Sequence, residues 1–507
     1  MVDSARIAVT HWANAVRLLL VLPVALAGLA AGERAPSLLA AVKALDRQAV
    51  AALVKQGAPV NLRLGDGTTA LHWAAYLNDP DVAELLIGAR ADVNAANDLG
   101  ATPLWLACRN RNAALVLRLL EAGANPNPVL ATGETPLMQA SLTGDIGSVR
   151  ALVTRGADVN ASEASHGQTA LMWATSAGHT DVVRVLIEAG ASVHARTSAS
   201  QRMVSTSARV GVNPPTVYDM SGVVEVGTGG YTPLLFAAQQ GRAGPARLLL
   251  AAGANANDTA AAGTSALVVA AHSAHSGTGD HGAVAGLLLE HGADPDASGA
   301  GYTAMHAALL TGNLTAVKAL LEHDADPNLP LQKGTPVRRF STDFALSRSL
   351  IGATPLWLAA KFGEVEMVRS LLDHGANPRF ATKEGTTPLM IAIAAGAGQD
   401  RRDRMFVNPE IVADARDREP AVTLQAATLL VRSGADVNAA DELGDTALHL
   451  AVARRLDAVV RLLAEHGAIL EARNKDGKTP LALASAGNRP DDKGATADLL
   501  RSLGARE

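Results

Sequence analysis

The sequence predicts an all-α repeat solenoid, and three observations carry that expectation. A short motif, Gly-x-[Thr/Ser]-[Ala/Pro]-[Leu/Met], places its hydroxyl residue at positions 69, 102, 135, 169, 232, 265, 303, 354, 387, 446 and 479. Five of the ten intervals are 33 residues and the others are 34, 38, 51, 59 and 63, so a 33-residue unit with insertions accounts for all of them. The distance from that residue to the Gly of a Leu-Leu-x-x-Gly-Ala-[Asp/Asn]-x-Asn segment is 21 in most units, as from Thr102 to Gly123 and from Thr232 to Gly253. Composition agrees: 48% of the 507 residues are hydrophobic but only 3% are aromatic, which suits close packing of small-residue helices.

The elements follow in chain order. Leu18 to Gly32 is a run of fifteen residues without a charge, preceded by Arg6 and Arg17 and ending in small residues. This is the three-part pattern of an export signal, expected over residues 1–32 with cleavage near Ala30, Ala31 or Gly32. A permanent span wants about 20 apolar residues, more than this run supplies; a buried N-terminal helix is the other alternative. No cysteine stands directly after the run, which argues against a lipoprotein anchor. Residues 33–65 read as a capping repeat: Ala51 to Ala58 keep the second-helix pattern, but the Thr-Pro-Leu opening is missing. The array itself covers 66–505, with about eleven motif-bearing repeats.

Within a unit, Thr at the start of a helix caps exposed N–H groups, and Pro in the first turn loses no hydrogen bond. The second helix carries an apolar stripe at helical spacing, as in Val182 to Ile187. Gly190 then stops it, because a left-handed residue there favours Gly. Arg90 and Asp324 stand where other units place that Gly; a left-handed backbone at each costs up to about 1 kcal/mol. No unit can bury its own apolar face, so stacking must supply the core.

The motif resembles the ankyrin-repeat family over about Pro36 to Ala505, most closely at Gly67-Thr68-Thr69-Ala70-Leu71-His72-Trp73-Ala74-Ala75 and at Gly444 to Ala451. The resemblance implies a β-turn finger and two antiparallel helices per unit, stacked into a curved solenoid. It also implies that His72, His306 and His449 are structural hydrogen-bonding residues. Family contact positions lie on the finger, just before the Thr, and at the two residues after the Ala-Ala pair. Carried onto this chain they give Tyr231 and Tyr302 before the Thr, and Tyr76, Arg109, Asn110, Gln239, Gln240, Lys361, Phe362 and Arg454 on the inner helices. Tyr218 completes the set, in a long insertion; the chain has only four tyrosines. Tyr offers amphipathic area at low entropy cost, so these positions are expected to form a partner surface. A Tyr on any half-exposed helix surface would look the same. Trp73, Trp105, Trp173 and Trp357 are expected to pack between units.

Insertions interrupt the period in two ways. The 63-residue interval after Thr169 and the 51-residue interval after Thr303 place extra chain in fingers, near 196–229 and 329–350. Two more fall between the helices of one unit, near 273–282 and 397–420. The finger insertions contain Val217, Tyr218, Met220, Phe340 and Phe344. They either pack on the array, contact a partner, or are tolerated surface loops.

Charge and motif content narrow the chemistry. A net charge of −5 and a pI near 6.3 remove the basic footprint of a nucleic-acid binder. One cysteine, Cys108, excludes an intrachain disulfide; in the Ala-Ala position of its unit it reads as a small core residue. Gly477-Lys478-Thr479 mimics the end of a phosphate-binding loop, but the first Gly of that motif is replaced by Ala472. His272, His275, Asp280 and His281 form the one local cluster with metal-ligand residue types, weak candidates against a plain polar turn. No cofactor is expected. The sequence therefore predicts a non-enzymatic, monomeric, exported protein, bacterial and periplasmic or else secreted, that binds another protein on its concave, finger-bearing face. A metal-dependent or enzymatic regulator using the His272–His281 turn, or an effector acting on a host protein, are the alternatives.

Overall fold

Each unit opens on a hydroxyl that replaces a missing helical hydrogen bond. The Thr102 and Thr135 hydroxyls accept from the backbone N–H groups of Trp105 and Met138, each at 3.3 Å, with Pro in the first turn behind them. The cap obtains the same effect without the motif, because the Ser37 hydroxyl accepts from Ala40 N at 3.2 Å. In the computed structural model, the structure describes residues 37–205, 223–272, 279–333, 350–394, 419–485 and 494–506. The proposed export signal, Tyr218, His275, Phe340, Phe344 and most of the four insertions lie outside the described residues.

The chain divides into two compact bodies, 4–200 with 227–261 and 262–507 with 201–226. In the first, the cap pair Leu38–Lys43 and Arg47–Lys55 is followed by first helices Ala70–Tyr76, Pro103–Arg109, Pro136–Thr143, Ala170–Ala177 and Pro233–Gln240. Their second helices are Pro80–Gly88, Ala113–Glu121, Ile146–Thr154, Thr180–Glu188 and Ala243–Ala251. The second body repeats the arrangement from Ala266–His272 and His281–Glu290 to Pro480–Ser485 and Ala495–Ser502. Its core and that of the first body are layers of Leu, one from each helix of a unit. Leu71 and Leu86, Leu137 and Leu152, and Leu171 and Leu186 are fully buried.

Three turns per unit require a left-handed residue, the first being the finger Gly two residues before the Thr, as at Gly67, Gly100 and Gly133 with φ of 77 to 84°. Nine residues after the Thr, between the helices, Gly144, Gly178, Gly241, Gly312 and Gly363 have φ of 61 to 84°, and Asn78, Arg111 and Arg455 adopt 56 to 58°. Twenty-one residues after the Thr, Arg90 and Asp324 do sit left-handed, at 64° and 61°. A side chain there has open space, since a Cβ built on Gly123, Gly156 or Gly190 meets nothing within 4 Å. The strain is therefore in the backbone alone.

Neighbouring units are joined by polar rows. Asn94, Asn127, Asn160 and Asn438 each donate from the side-chain amide to the carbonyl of the next unit's helix-ending Gly, at 2.9 to 3.1 Å. The same amide accepts from the backbone N–H two residues after that Gly, at 2.7 to 2.8 Å. Fingers are stitched backbone to backbone as well, with Asp98 N donating to Asp66 O, Ala131 N to Leu99 O and Ala164 N to Thr132 O, each at 3.0 Å.

The finger after Arg196 departs from an all-helical plan. Its strands β1 (Ser200–Ser205) and β2 (Val223–Thr228) form a two-stranded sheet. At its base the Arg196 guanidinium pairs with Asp258 at 2.8 Å and donates to Gly230 O at 3.0 Å. The finger after Asn328 is closed at its root, where Leu331 N donates to Ala353 O at 2.9 Å and Gly352 N to Leu331 O at 2.7 Å. Among the described residues no helix is long and apolar enough to cross a membrane.

Two stability outcomes follow from these turns and rows. Arg90→Gly and Asp324→Gly should each stabilise the fold by up to about 1 kcal/mol in denaturant unfolding; an unchanged or lower midpoint would contradict the backbone-strain account. Asn127→Ala should cost about 1–2 kcal/mol through two lost bonds at once, measured the same way.

Candidate partner-binding face

The first helices present three positions in register, and the structure treats them differently. Seven residues after the Thr stand Tyr76, Arg109, Gln239 and Lys361. Tyr76 is 38% exposed and Arg109 half-buried, whereas Gln239 and Lys361 are only 2% and 8% exposed. Lys361 lies against the Trp357 ring, its ammonium 5.7 Å from the centroid.

The next position joins first helices to one another. The Asn110 amide donates to Ala75 O at 2.8 Å and Tyr76 O at 2.9 Å, which caps the end of the preceding first helix. Thr143 reaches Cys108 O at 3.4 Å and Thr311 reaches Ala271 O at 3.1 Å from the same place in their units. Arg454 donates to Ile393 O. Gln240 and Phe362 are half-buried at this position. Asn110 and Arg454 thus hold the array together, a role the sequence reading did not give them. A partial signal was present: a polar side chain stands at this position in several units, as at Asn110, Thr143, Gln240, Thr311 and Arg454, at or just after the end of the first helix.

The position before the Thr turns inward. Tyr302 is 8% exposed. Tyr231 is half-buried against Phe236, with ring centroids 5.6 Å apart, and burial pushes its phenol up to about 12. Tyr302 and Gln239 therefore supply packing more than accessible surface. What remains accessible is Tyr76 with Arg109, and in other units Gln240, Phe362 and part of Tyr231.

The turn of the histidine cluster has local tasks. Asp280 caps the helix His281–Glu290 by accepting from Ala283 N at 2.9 Å. His281 is buried, with Nδ1 3.2 Å from Gly279 O, and His272 ends its helix. His275 lies outside the described residues, and among those described no three His, Cys, Asp or Glu side chains are grouped to hold a metal. Cys108 is buried, and burial pushes its thiol far above the ordinary value, away from nucleophilic use.

A finger, a Thr-capped short helix and a Gly-stopped second helix, repeated on a 33-residue register, define the fold class. The family model described as "Ankyrin repeats (3 copies)" matches residues 38–130, 116–197, 234–330, 338–400 and 421–493. The chain belongs to the ankyrin-repeat family. It is similar to human Neurogenic locus notch homolog protein 1, 36% identical over 143 residues, which is 26% of this chain and 6% of that protein. It is also similar to human Rabankyrin-5, 30% identical over 203 residues, covering 38% of this chain and 17% of that protein. Human Ankyrin repeat and SOCS box protein 18 is 34% identical over 149 residues, 28% of this chain and 32% of that protein. The chain therefore spans no more than about a third of these relatives (32% at most), and the likeness concerns the repeats.

In two of the ankyrin repeats that carry the motif His, the imidazole links two units. Thr69 N donates to His72 Nδ1 at 3.1 Å, so the ring proton sits on Nε2, which donates to Ala101 O of the next unit at 2.9 Å. His449 repeats the link, with Nε2 3.2 Å from Lys478 O. His306 is fully buried, and desolvation lowers its pKa from 6.5 to about 4.

Glu134 faces the opposite problem. In the second body the equivalent carboxylate, Asp445, accepts from the Asn474 amide of the next finger at 2.9 Å. Next to Glu134 the finger brings Glu163 instead, whose carboxylate is engaged by the N–H groups of Ser165, His166 and Gln168 at 2.6 to 3.1 Å. Glu134 is 5% exposed, and burial followed by the Glu163 charge pushes its pKa from 4.5 up to about 7.

The two groups oppose each other in pH. Unfolded His takes up a proton that buried His306 refuses, so stability falls as pH drops from 6.5 towards about 4, by on the order of 3 kcal/mol. Glu134 keeps its proton longer folded than unfolded, so its contribution is full below 4.5 and is lost as pH rises to about 7. Glu134→Gln should therefore stabilise the protein at pH 8 by on the order of 3 kcal/mol and change little at pH 4. Urea unfolding at both pH values checks this, and equal effects at the two would contradict it.

Proposed function

We propose that this chain is a non-catalytic interaction scaffold that holds another protein on the side formed by its first helices and fingers. The observation that carries the reading is the exposed Tyr76 in register with half-buried Arg109 on repeats joined by the Asn94 and Asn127 amides. Such a surface is preorganised, so little conformational entropy is lost on binding. In the same body Gln240 and the accessible part of Tyr231 offer the same kind of position, and in the other body Phe362 does. The protein acts as a monomer in this reading and binds no nucleic acid, in keeping with its net charge of −5.

Export is part of the proposal. The uncharged run Leu18 to Gly32 behind Arg6 and Arg17 supports delivery across a membrane with removal of residues 1–32; in this reading the protein works in a bacterial periplasm or outside the cell.

Immobilised protein of residues 33–507 should retain a specific partner from periplasmic or membrane extracts, identified by mass spectrometry. A folded variant with the finger insertions at 196–229 and 329–350 shortened to the 33-residue period should lose a partner that binds the fingers. Absence of any partner above background in either extract would sink the scaffold reading. Mature protein that still carries residues 1–32 would sink the export reading.

A further inference from the structure

Positions 43, 76 and 109 are 33 residues apart and carry Lys43, Tyr76 and Arg109, one at the same place on each of three successive first helices. Lys43 is exposed and holds its ammonium 4.3 Å from the centre of the Trp73 ring, and Trp73 meets Tyr76 edge to face with centroids 5.7 Å apart. A cation, two aromatic rings and a second cation thus run across the repeats in one row.

The charge around that row is one-sided. Among the described residues no first helix of either body contains an Asp or a Glu, in a chain whose acidic residues outnumber its Lys and Arg by 49 to 44. The carboxylates at the adjoining turns are already engaged. Asp46 accepts from Ala49 N at 2.9 Å, Asp79 from Val82 N at 3.1 Å and from Arg47 at 3.0 Å, and Asp145 from Ser148 Oγ at 2.5 Å. One guanidinium donor in the row, Arg109 Nη1, is shielded from solvent and has no acceptor within the protein. Buried donors left open call for an acceptor, and a guanidinium most favours a carboxylate.

We propose that this row binds an acidic, extended segment of a partner protein. Arg109 takes one carboxylate, Lys43 a second, and the Trp73–Tyr76 pair holds the apolar or aromatic side chains between them. First helices packed at roughly 9 Å place the backbones of positions 43 and 109 about 18 Å apart, an upper bound on the span between the charges because the Lys43 ammonium leans over Trp73 of the next repeat, and an extended chain covers that span in about five residues. The segment therefore carries its two acidic residues within about five positions of each other. This assignment rests on the scaffold reading and names the chemistry of its partner.

The test uses the full chain and three labelled probes in fluorescence anisotropy: a Glu–Tyr copolymer, a Lys–Tyr copolymer and a single-stranded oligonucleotide. The Glu–Tyr copolymer should bind, weaken with added salt, and lose about tenfold in affinity with Lys43→Ala, Arg109→Ala or Tyr76→Ala. Arg184→Ala and Arg247→Ala, exposed cations on second helices, should leave it unchanged. Lys43→Ala and Tyr76→Ala alter exposed side chains, so they report even if Arg109→Ala disturbs the fold, which thermal unfolding reveals. Equal binding of the Lys–Tyr copolymer, preferential binding of the oligonucleotide, or full affinity in folded Lys43→Ala and Tyr76→Ala proteins overturns the assignment. A captured partner that still binds those variants would overturn it while leaving the scaffold reading intact; failure to capture any partner bears on the scaffold reading instead.

Discussion

Everything in this array depends on polar groups that one repeat cannot satisfy by itself. The carbonyl of a helix-ending Gly and the N–H two residues later are left open by the turn, and a single Asn from the preceding unit closes both. Asn127 does so against Gly156 and Asp158 at 2.9 and 2.8 Å, and Asn160 against Gly190 and Ser192 at 3.1 and 2.8 Å. Because the amide is planar and short, it serves both groups only if the next unit arrives in fixed register. That requirement survives the insertions. Asn328 reaches Gly375 O at 3.2 Å and accepts from Asn377 N at 2.7 Å, across 47 and 49 residues of chain. Extra residues are tolerated where they leave this joint undisturbed, and loop closure costs little more for a longer loop.

The same constraint explains why the units differ so freely elsewhere. Three residues after the Thr, His72 and His449 bridge to the following carbonyl, while Trp105 and Trp357 fill the same place with buried rings. A hydrogen bond and a large apolar surface are alternative ways to hold one interface when the staple and the Leu layer already set the spacing. The left-handed Arg90 and Asp324 are tolerated for the same reason. Glu134 is a sharper departure, since its finger neighbour is a carboxylate where Asn474 serves Asp445.

For partner binding, the division of labour among neighbouring positions matters more than their number. One residue in the first helix, as at Tyr76, faces out, while the next, as at Asn110, ties that helix to its neighbour. A binding surface built this way is stiff because its own side chains are interleaved with structural ones. Stiffness favours a defined partner over a promiscuous one.

The sequence alone determined the period, the helix starts and stops, and the left-handed backbone at Arg90 and Asp324, because each follows from local backbone chemistry that repeats every 33 residues; Asn78, Arg111 and Arg455, left-handed between the helices, emerged only in the structure. The sequence also located the interruptions, since an insertion shifts the count and nothing else. It did not show that the Asn closing each Gly-Ala-[Asp/Asn]-x-Asn segment is the joint between units, nor that Asn110 and Arg454 bridge first helices, because their partners lie in other units. Burial was equally hidden: Gln239 and Tyr76 occupy one position in the repeat, yet one is enclosed and the other exposed. Nor did the sequence show that the finger insertion after Arg196 contains the paired strands β1 and β2. Which face a side chain shows is decided by what the neighbouring repeat places against it, and only the stacked structure contains that neighbour.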